Sequence, residues 1–146
     1  YGIKNVKWLI AIEVTDYDYK GYWQQRGWTD EGHIKVISRI DSPGHYQDLK
    51  GPEAEIRGIA FGGAQGVGKV EVSTDGGKTW HLAEITQAYS PTAWVLWRYS
   101  WKIPGPGAYT VVVRATDGQG RSQPSQILQA YPAGSSGLHT IVALIE

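Results

Sequence analysis

The stretch Lys69-Val70-Glu71-Val72-Ser73-Thr74-Asp75-Gly76-Gly77-Lys78-Thr79-Trp80 constrains the fold more tightly than any other part of the chain. Val70, Val72 and Thr74 fall on one side of an extended backbone, and Lys69, Glu71 and Ser73 on the other. That period of two marks a strand with one face buried and one wet. Asp75-Gly76-Gly77 follows with residues that tolerate positive φ, as a tight hairpin turn requires. A second strand is predicted from Lys78, with Trp80 and Leu82 on one face. A chain committed to such a hairpin needs further strands to cover its apolar side.

Those strands are legible on both sides. Ile34, Val36 and Ile40 are expected to point inward from His33–Ile40, with His33, Lys35 and Arg39 outward. In Glu55–Phe61, Ile56, Gly58 and Ala60 share one face while Ile59 and Phe61 share the other, and Gly58 marks a bulge or a close backbone approach. Trp80–Ile85 completes the hairpin. Trp94–Ile103 places Val95, Trp97, Tyr99, Trp101 and Ile103 together, opposite Trp94, Leu96, Arg98 and Ser100. Tyr109–Thr116 and Leu138–Ile145 supply the last two strands, after the turns at residues 104–107 and 117–120 and a Gly/Ser-rich loop at 134–137. Short strands at a spacing of roughly 8–12 residues, with no helical period, describe an all-β sandwich. Residues 4–14 are apolar on both faces, Val6, Trp8, Ile10 and Ile12 against Leu9 and Ala11. They are predicted to form a strand that wants a neighbour on each side. Gly21–Trp28 reads as a packed aromatic connection, with a boundary near Asp30-Glu31-Gly32.

Composition removes several classes of function. Fourteen Lys and Arg balance fourteen Asp and Glu, so the chain lacks the basic footprint of a nucleic-acid binder. No apolar run approaches the roughly 20 residues that span a bilayer. There is no Cys, which removes disulfides, thiolate metal sites and cysteine nucleophiles, and leaves the redox compartment open. There is also no Met, and the chain is expected to be part of something longer that begins before Tyr1. His33, His45, His81 and His139 show no spacing that puts two imidazoles on one face of an element. The glycine-rich run Gly62–Gly68 lacks the Gly-Lys-Ser/Thr ending of a phosphate loop and leads into a strand, so it reads as an interstrand loop. Asp75 and Asp117 each precede Gly in a turn, where Asp has a structural use.

The aromatic residues carry two readings. Seven Trp and nine Tyr against one Phe suit a core, a subunit interface or a sugar-stacking face. The shared parity of Trp97, Tyr99 and Trp101 with Val95 and Ile103 favours the core for those three. Trp94 and Leu96 then form an apolar pair on the outer face, a candidate partner surface.

In order along the chain, these motifs resemble sulfite-oxidase-type molybdopterin oxidoreductases. Tyr1-Gly2 and Val6-Lys7-Trp8-Leu9 resemble the end of the cofactor domain in that family, and Gly21–Gly27 the connection after it. Ile56–Gly63, Val70–Trp80, Trp97–Trp101 and Arg114–Gly120 are similar to its C-terminal dimerisation domain. The resemblance implies an immunoglobulin-like (E-set type) sandwich over residues 33–146, with residues 1–32 an N-terminal extension made of the cofactor-domain tail and the connection. It implies a homodimer, and the outward apolar pair Trp94 and Leu96 is the interface expected from the alternation. It also implies a parent enzyme that performs oxygen-atom transfer on a small substrate such as sulfite and passes electrons to a carrier protein. Asn5, Val6 and Lys7 fall where the family contacts its molybdopterin cofactor, with Lys7 toward the anionic part. The family's molybdenum ligand is a cysteine, so the metal-bearing domain is expected upstream and no cofactor is expected on this segment alone. The segment itself then carries no catalytic residue, and its partners are a second copy and the upstream domain, with no nucleic acid and no membrane. Separated from that domain, residues 4–14 are expected to protrude or to swap. The other reading is a free-standing sandwich that binds carbohydrate or protein through exposed aromatics.

Overall fold

The computed structural model describes residue 2 and residues 4–146, so Tyr1, and with it half of the Tyr1-Gly2 motif, lies outside the described residues. Among the described residues, nine strands form two sheets. The first has the order β1 (Ile37–Ser42), β3 (Glu53–Phe61), β7 (Val95–Lys102), β6 (Glu84–Ala88), all antiparallel. The second has the order β2 (Gln47–Leu49), β9 (His139–Ile145), β8 (Gly107–Asp117), β4 (Val67–Ser73), β5 (His81–Leu82). Only β2 with β9 is parallel. This is the sandwich that the alternation predicts. No helix among the described residues is long and apolar enough to cross a membrane.

The core lies between the sheets. Ile40, Ile56, Ala60, Val95, Trp97 and Trp101 come from the first, and Val70, Val72, Val111, Val113, Ala115, Ile141, Ala143 and Ile145 from the second. Each valine buried there contributes about 1.5–3 kcal/mol. Trp101 meets Tyr109 edge to face at 5.1 Å, a link between the sheets that adds directional packing. Gly58 is the close approach expected from the sequence. A Cβ there would lie 1.9 Å from the Arg39 carbonyl oxygen and 2.8 Å from Trp97 Cζ2.

The structure corrects four expectations. Residues 78–85 do not form one strand. β5 has only two residues, Ala83 N–H bonds to the Val70 carbonyl at 2.9 Å, and the chain then crosses to the first sheet as β6. Ser73, expected outward, is fully buried, because its hydroxyl folds into the turn after β4 and receives Gly77 N–H at 2.8 Å. Ile34 is exposed rather than inward, since the β3 ladder ends at Phe61 opposite Ile37 and leaves residues 33–36 without a partner strand. Residues 4–14 are not a strand either. No ladder meets them, and Ile10 and Val14 are 97% and 94% exposed. The two apolar faces stand in solvent, as a segment deprived of neighbours must.

The connection of residues 21–30, expected to be packed, is only partly so, with Tyr22 and Trp23 exposed, and its seat is the loop after β8. Trp28 stands edge-on to Tyr131 at 5.4 Å, and Thr29 N–H bonds to the Pro132 carbonyl at 3.1 Å. Asp30 binds Lys20 at 2.8 Å and also Lys4, so one carboxylate closes both ends of the exposed excursion 5–19.

Candidate functional site

The outer face of the first sheet carries the candidate partner surface. The alternation of β7 turns Trp97 inward and Leu96 and Arg98 outward, and Trp94 precedes the strand on the same side. Leu96 lies opposite Ile59 in the β3–β7 ladder. Trp94 stacks on Phe61 with ring centroids 5.6 Å apart. The predicted pair is therefore half of a four-residue apolar strip, Trp94, Phe61, Ile59 and Leu96. The sequence did show Ile59 and Phe61 sharing a face, but only the β3–β7 register puts them beside Leu96.

Ionic residues occupy the rest of this face. Arg98 Nε meets Glu84 Oε2 at 2.9 Å and Arg98 Nη2 meets Oε1 at 3.3 Å, a two-point contact. Arg39 Nε meets Asp41 at 2.6 Å. Arg57 lies opposite Arg98 in the ladder, and its nearest carboxylate oxygen, on Glu55, is 3.8 Å away. A shallow hollow of about 450 Å³ opens between Asp41, Glu55, Arg57, Thr86, Leu96 and Arg98.

The outer face of the second sheet is satisfied within the chain. Glu71 takes Arg114 Nε at 2.9 Å and Lys69 Nζ at 3.1 Å, and the Arg114 guanidinium lies 4.0 Å over the Trp80 ring. The Arg114 guanidinium, helped by Lys69, holds the Glu71 carboxyl below its ordinary range.

Asn5, Val6 and Lys7 sit at the start of the exposed excursion of residues 5–19. Lys7 makes no side-chain hydrogen bond or ion pair with the described residues. An exposed ammonium of this kind fits an anionic group brought to it. No group of three or more His, Cys, Asp or Glu among the described residues is arranged to hold a metal ion, and the chain has no Cys.

The histidines and turn carboxylates have structural employment. His139 Nδ1 receives Ile40 N–H at 3.1 Å, and His45 Nδ1 receives Val142 N–H at 3.0 Å. Burial and the nearby Arg39 push the His139 imidazole below its ordinary value. The Asp75 carboxylate accepts the Thr79 hydroxyl and the backbone N–H groups of Thr79 and Lys78, which hold it well below the usual carboxylate range. Burial opposes ionisation of Asp117. The backbone N–H and guanidinium of Arg121 and the N–H of Gln119 outweigh it, and the group stays below that range.

Comparison with known proteins gives concordant results. The sequence profile of the Mo-co oxidoreductase dimerisation domain matches residues 29–133. Human mitochondrial sulfite oxidase is 27% identical over 149 residues, covering 86% of this chain and 27% of that protein. The nitrate reductase [NADH] of Ulva prolifera is 29% identical over 158 residues, covering 85% of this chain and 18% of that one. Among solved structures, the sulfane dehydrogenase SoxCD from Paracoccus pantotrophus superposes with a TM-score of 0.62 at 26% identity, covering 77% of this chain and 32% of that one. The chain thus spans about a quarter of the length of the human relative.

Proposed function

The chain belongs to the Mo-co oxidoreductase dimerisation domain family, and from that premise we propose that it pairs two copies of a sulfite-oxidase-type enzyme through the outer face of the first sheet. The apolar strip of Trp94, Phe61, Ile59 and Leu96 carries this reading. Its large apolar groups stand together and half-exposed, Trp94 at 49% and Leu96 at 43%. A two-fold axis over such a strip lays it on its own copy, as an isologous interface requires. Aromatic and aliphatic anchors inside an ionic rim have the anatomy of a subunit contact.

The parent enzyme is read as a homodimer that transfers an oxygen atom to or from a small substrate such as sulfite and hands electrons to a carrier protein. The molybdenum–molybdopterin cofactor, when bound by the upstream domain, supplies the redox centre for that transfer. Residues 1–32 form the tail of that domain and the connection, and residues 33–146 the pairing domain. Lys7 offers its ammonium to the anionic part of the pterin, and Asn5 and Val6 flank it on the same segment. The double lysine contact of Asp30 ties the start of this segment to the end of the connection.

Sedimentation equilibrium over a wide concentration range tests the pairing. A dimer at micromolar concentration is expected. Trp94→Asp is expected to raise the dissociation constant at least about tenfold, since it places a charge in the desolvated centre of the contact. A wild-type chain that stays monomeric throughout would sink the reading. A Trp94→Asp variant that pairs as tightly as wild type would move the interface to another face.

A further inference from the structure

Resting on the reading that residues 1–32 end an upstream cofactor domain, we infer that the cavity beside Ile34 is the seat of that domain on the sandwich. An apolar side chain of the domain fills it, with a carboxylate alongside. The cavity has a volume of about 720 Å³ and opens between residues 32–36, the turn after β3 and the turn after β8. Ile34, Val36, Phe61 and Pro124 give it apolar walls, and Lys35 and Arg121 add positive charge.

The walls are unfinished in three ways. Ile34 shares the inward parity of Ile40, yet it lines this cavity and is 60% exposed. No backbone hydrogen bond engages residues 33–35 among the described residues, so the segment offers open donors and acceptors along one side of the cavity. The charges are also unbalanced. Lys35 gives its ammonium to the neutral Gly134 carbonyl at 2.6 Å. Arg121 gives Asp117 its Nε at 2.8 Å and keeps a side chain 66% exposed. Asp117 is the one acid on the lining among the described residues, and Lys35 and Arg121 outnumber it.

The course of the chain selects the occupant. The excursion 5–19 begins and ends at the Asp30 carboxylate, through Lys4 and Lys20. Asp30 lies two residues before Gly32, where the cavity wall starts. Thr29 N–H on the Pro132 carbonyl and Lys35 on Gly134 hold the stretch between them along the loop after β8. A domain built around the excursion therefore meets the sandwich next to this cavity. Its apolar side chain covers Ile34, and its carboxylate answers Lys35 and Arg121. Such a seat fixes the orientation of the cofactor domain on the pairing domain, where a bare tether leaves the two free to move.

Hydrogen exchange tests this on the parent enzyme, in which this segment follows the cofactor domain, and on the segment alone. The amides of residues 33–35 are expected to exchange at least about tenfold more slowly in the parent enzyme than in the segment. Ile34→Asp is expected to abolish that difference in the parent enzyme while protection over β8 is kept. In the segment the same substitution is expected to leave the melting temperature unchanged, since an exposed site carries little of the stability. Ile34→Leu is expected to keep the slow exchange. If residues 33–35 exchange equally fast in the two wild-type proteins, the inference falls and the cofactor-domain reading stands. The inference also falls if Ile34→Asp leaves the slow exchange intact. A parent polypeptide that metal analysis shows to bind no molybdenum would overturn the reading and the inference together.

Discussion

Asp75 and Gly58 show how much a single position can decide. The Asp75 carboxylate ties together the turn after β4 by accepting from Thr79, Lys78 and Ser73. Its folded-state pKa lies below the ordinary value of 3.8, so the ionised form stabilises the fold. That stability is present above the unfolded value and is lost as the pH falls below it. Asp75→Asn is therefore expected to lower the melting temperature at pH 7 and to flatten the loss of stability between pH 5 and pH 2. Thermal melts across that range check both effects. Gly58→Ala makes a harder test of packing. The added methyl meets the Arg39 carbonyl and the Trp97 ring, so β1 must move or the core must open. A loss of about 3 kcal/mol, at the upper end for overpacking, is expected in urea unfolding.

At the scale of the element, the excursion between β8 and β9 is held by one buried amide. Gln123 Oε1 receives the Ser38 hydroxyl at 2.6 Å and Ala115 N–H at 3.2 Å, while its Nε2 donates to the Gly137 carbonyl at 2.9 Å. Strands β1 and β8 and the loop before β9 thus meet on one side chain. Gln123→Ala leaves these groups without their partner, and an unsatisfied buried donor or acceptor costs about 1–3 kcal/mol. The expected result is a total loss of about 3 kcal/mol, with faster amide exchange over residues 124–136 than over β4. The same excursion seats the connection through Tyr131 and Pro132. Exchange at Thr29, whose N–H bonds to Pro132, is expected to rise with it.

Across the whole molecule, the two sheets are joined by packing and by a few polar contacts. The Ile40 N–H to His139 Nδ1 bond is one of them, and it needs the imidazole unprotonated at that nitrogen. Arg39 and Asp41 on β1 are the charged groups that face the ring, with the His45 imidazole beyond them. Burial, with Arg39 adding to it, lowers the folded-state pKa below 6.5. The contribution is full above that value and is lost as the pH falls through it, because the unfolded chain binds the extra proton. Urea stability is expected to decline from pH 7 to pH 5, and His139→Asn, which keeps an acceptor without the titration, is expected to reduce the slope. At this scale too, the first sheet offers a face for a second copy, while the second sheet has matched its charges internally.

The alternation of residues determined by itself that this chain is a sandwich, and most of its core. The inward parity of Ile56, Val70, Val72, Val95, Trp97, Trp101, Val111 and Val113 follows from the two-residue period of a strand, which no tertiary contact can change. The exposure of Trp94 and Leu96 was legible for the same reason. Their membership of a four-residue strip was not, because it depends on which strand lies beside β7 and in what register. The short parallel strand β2 and the crossing at Ala83 were also hidden, since two or three residues carry no period. Residues 4–14 show the limit from the other side. Their pattern states a wish for neighbours, and only the tertiary structure decides whether any are there.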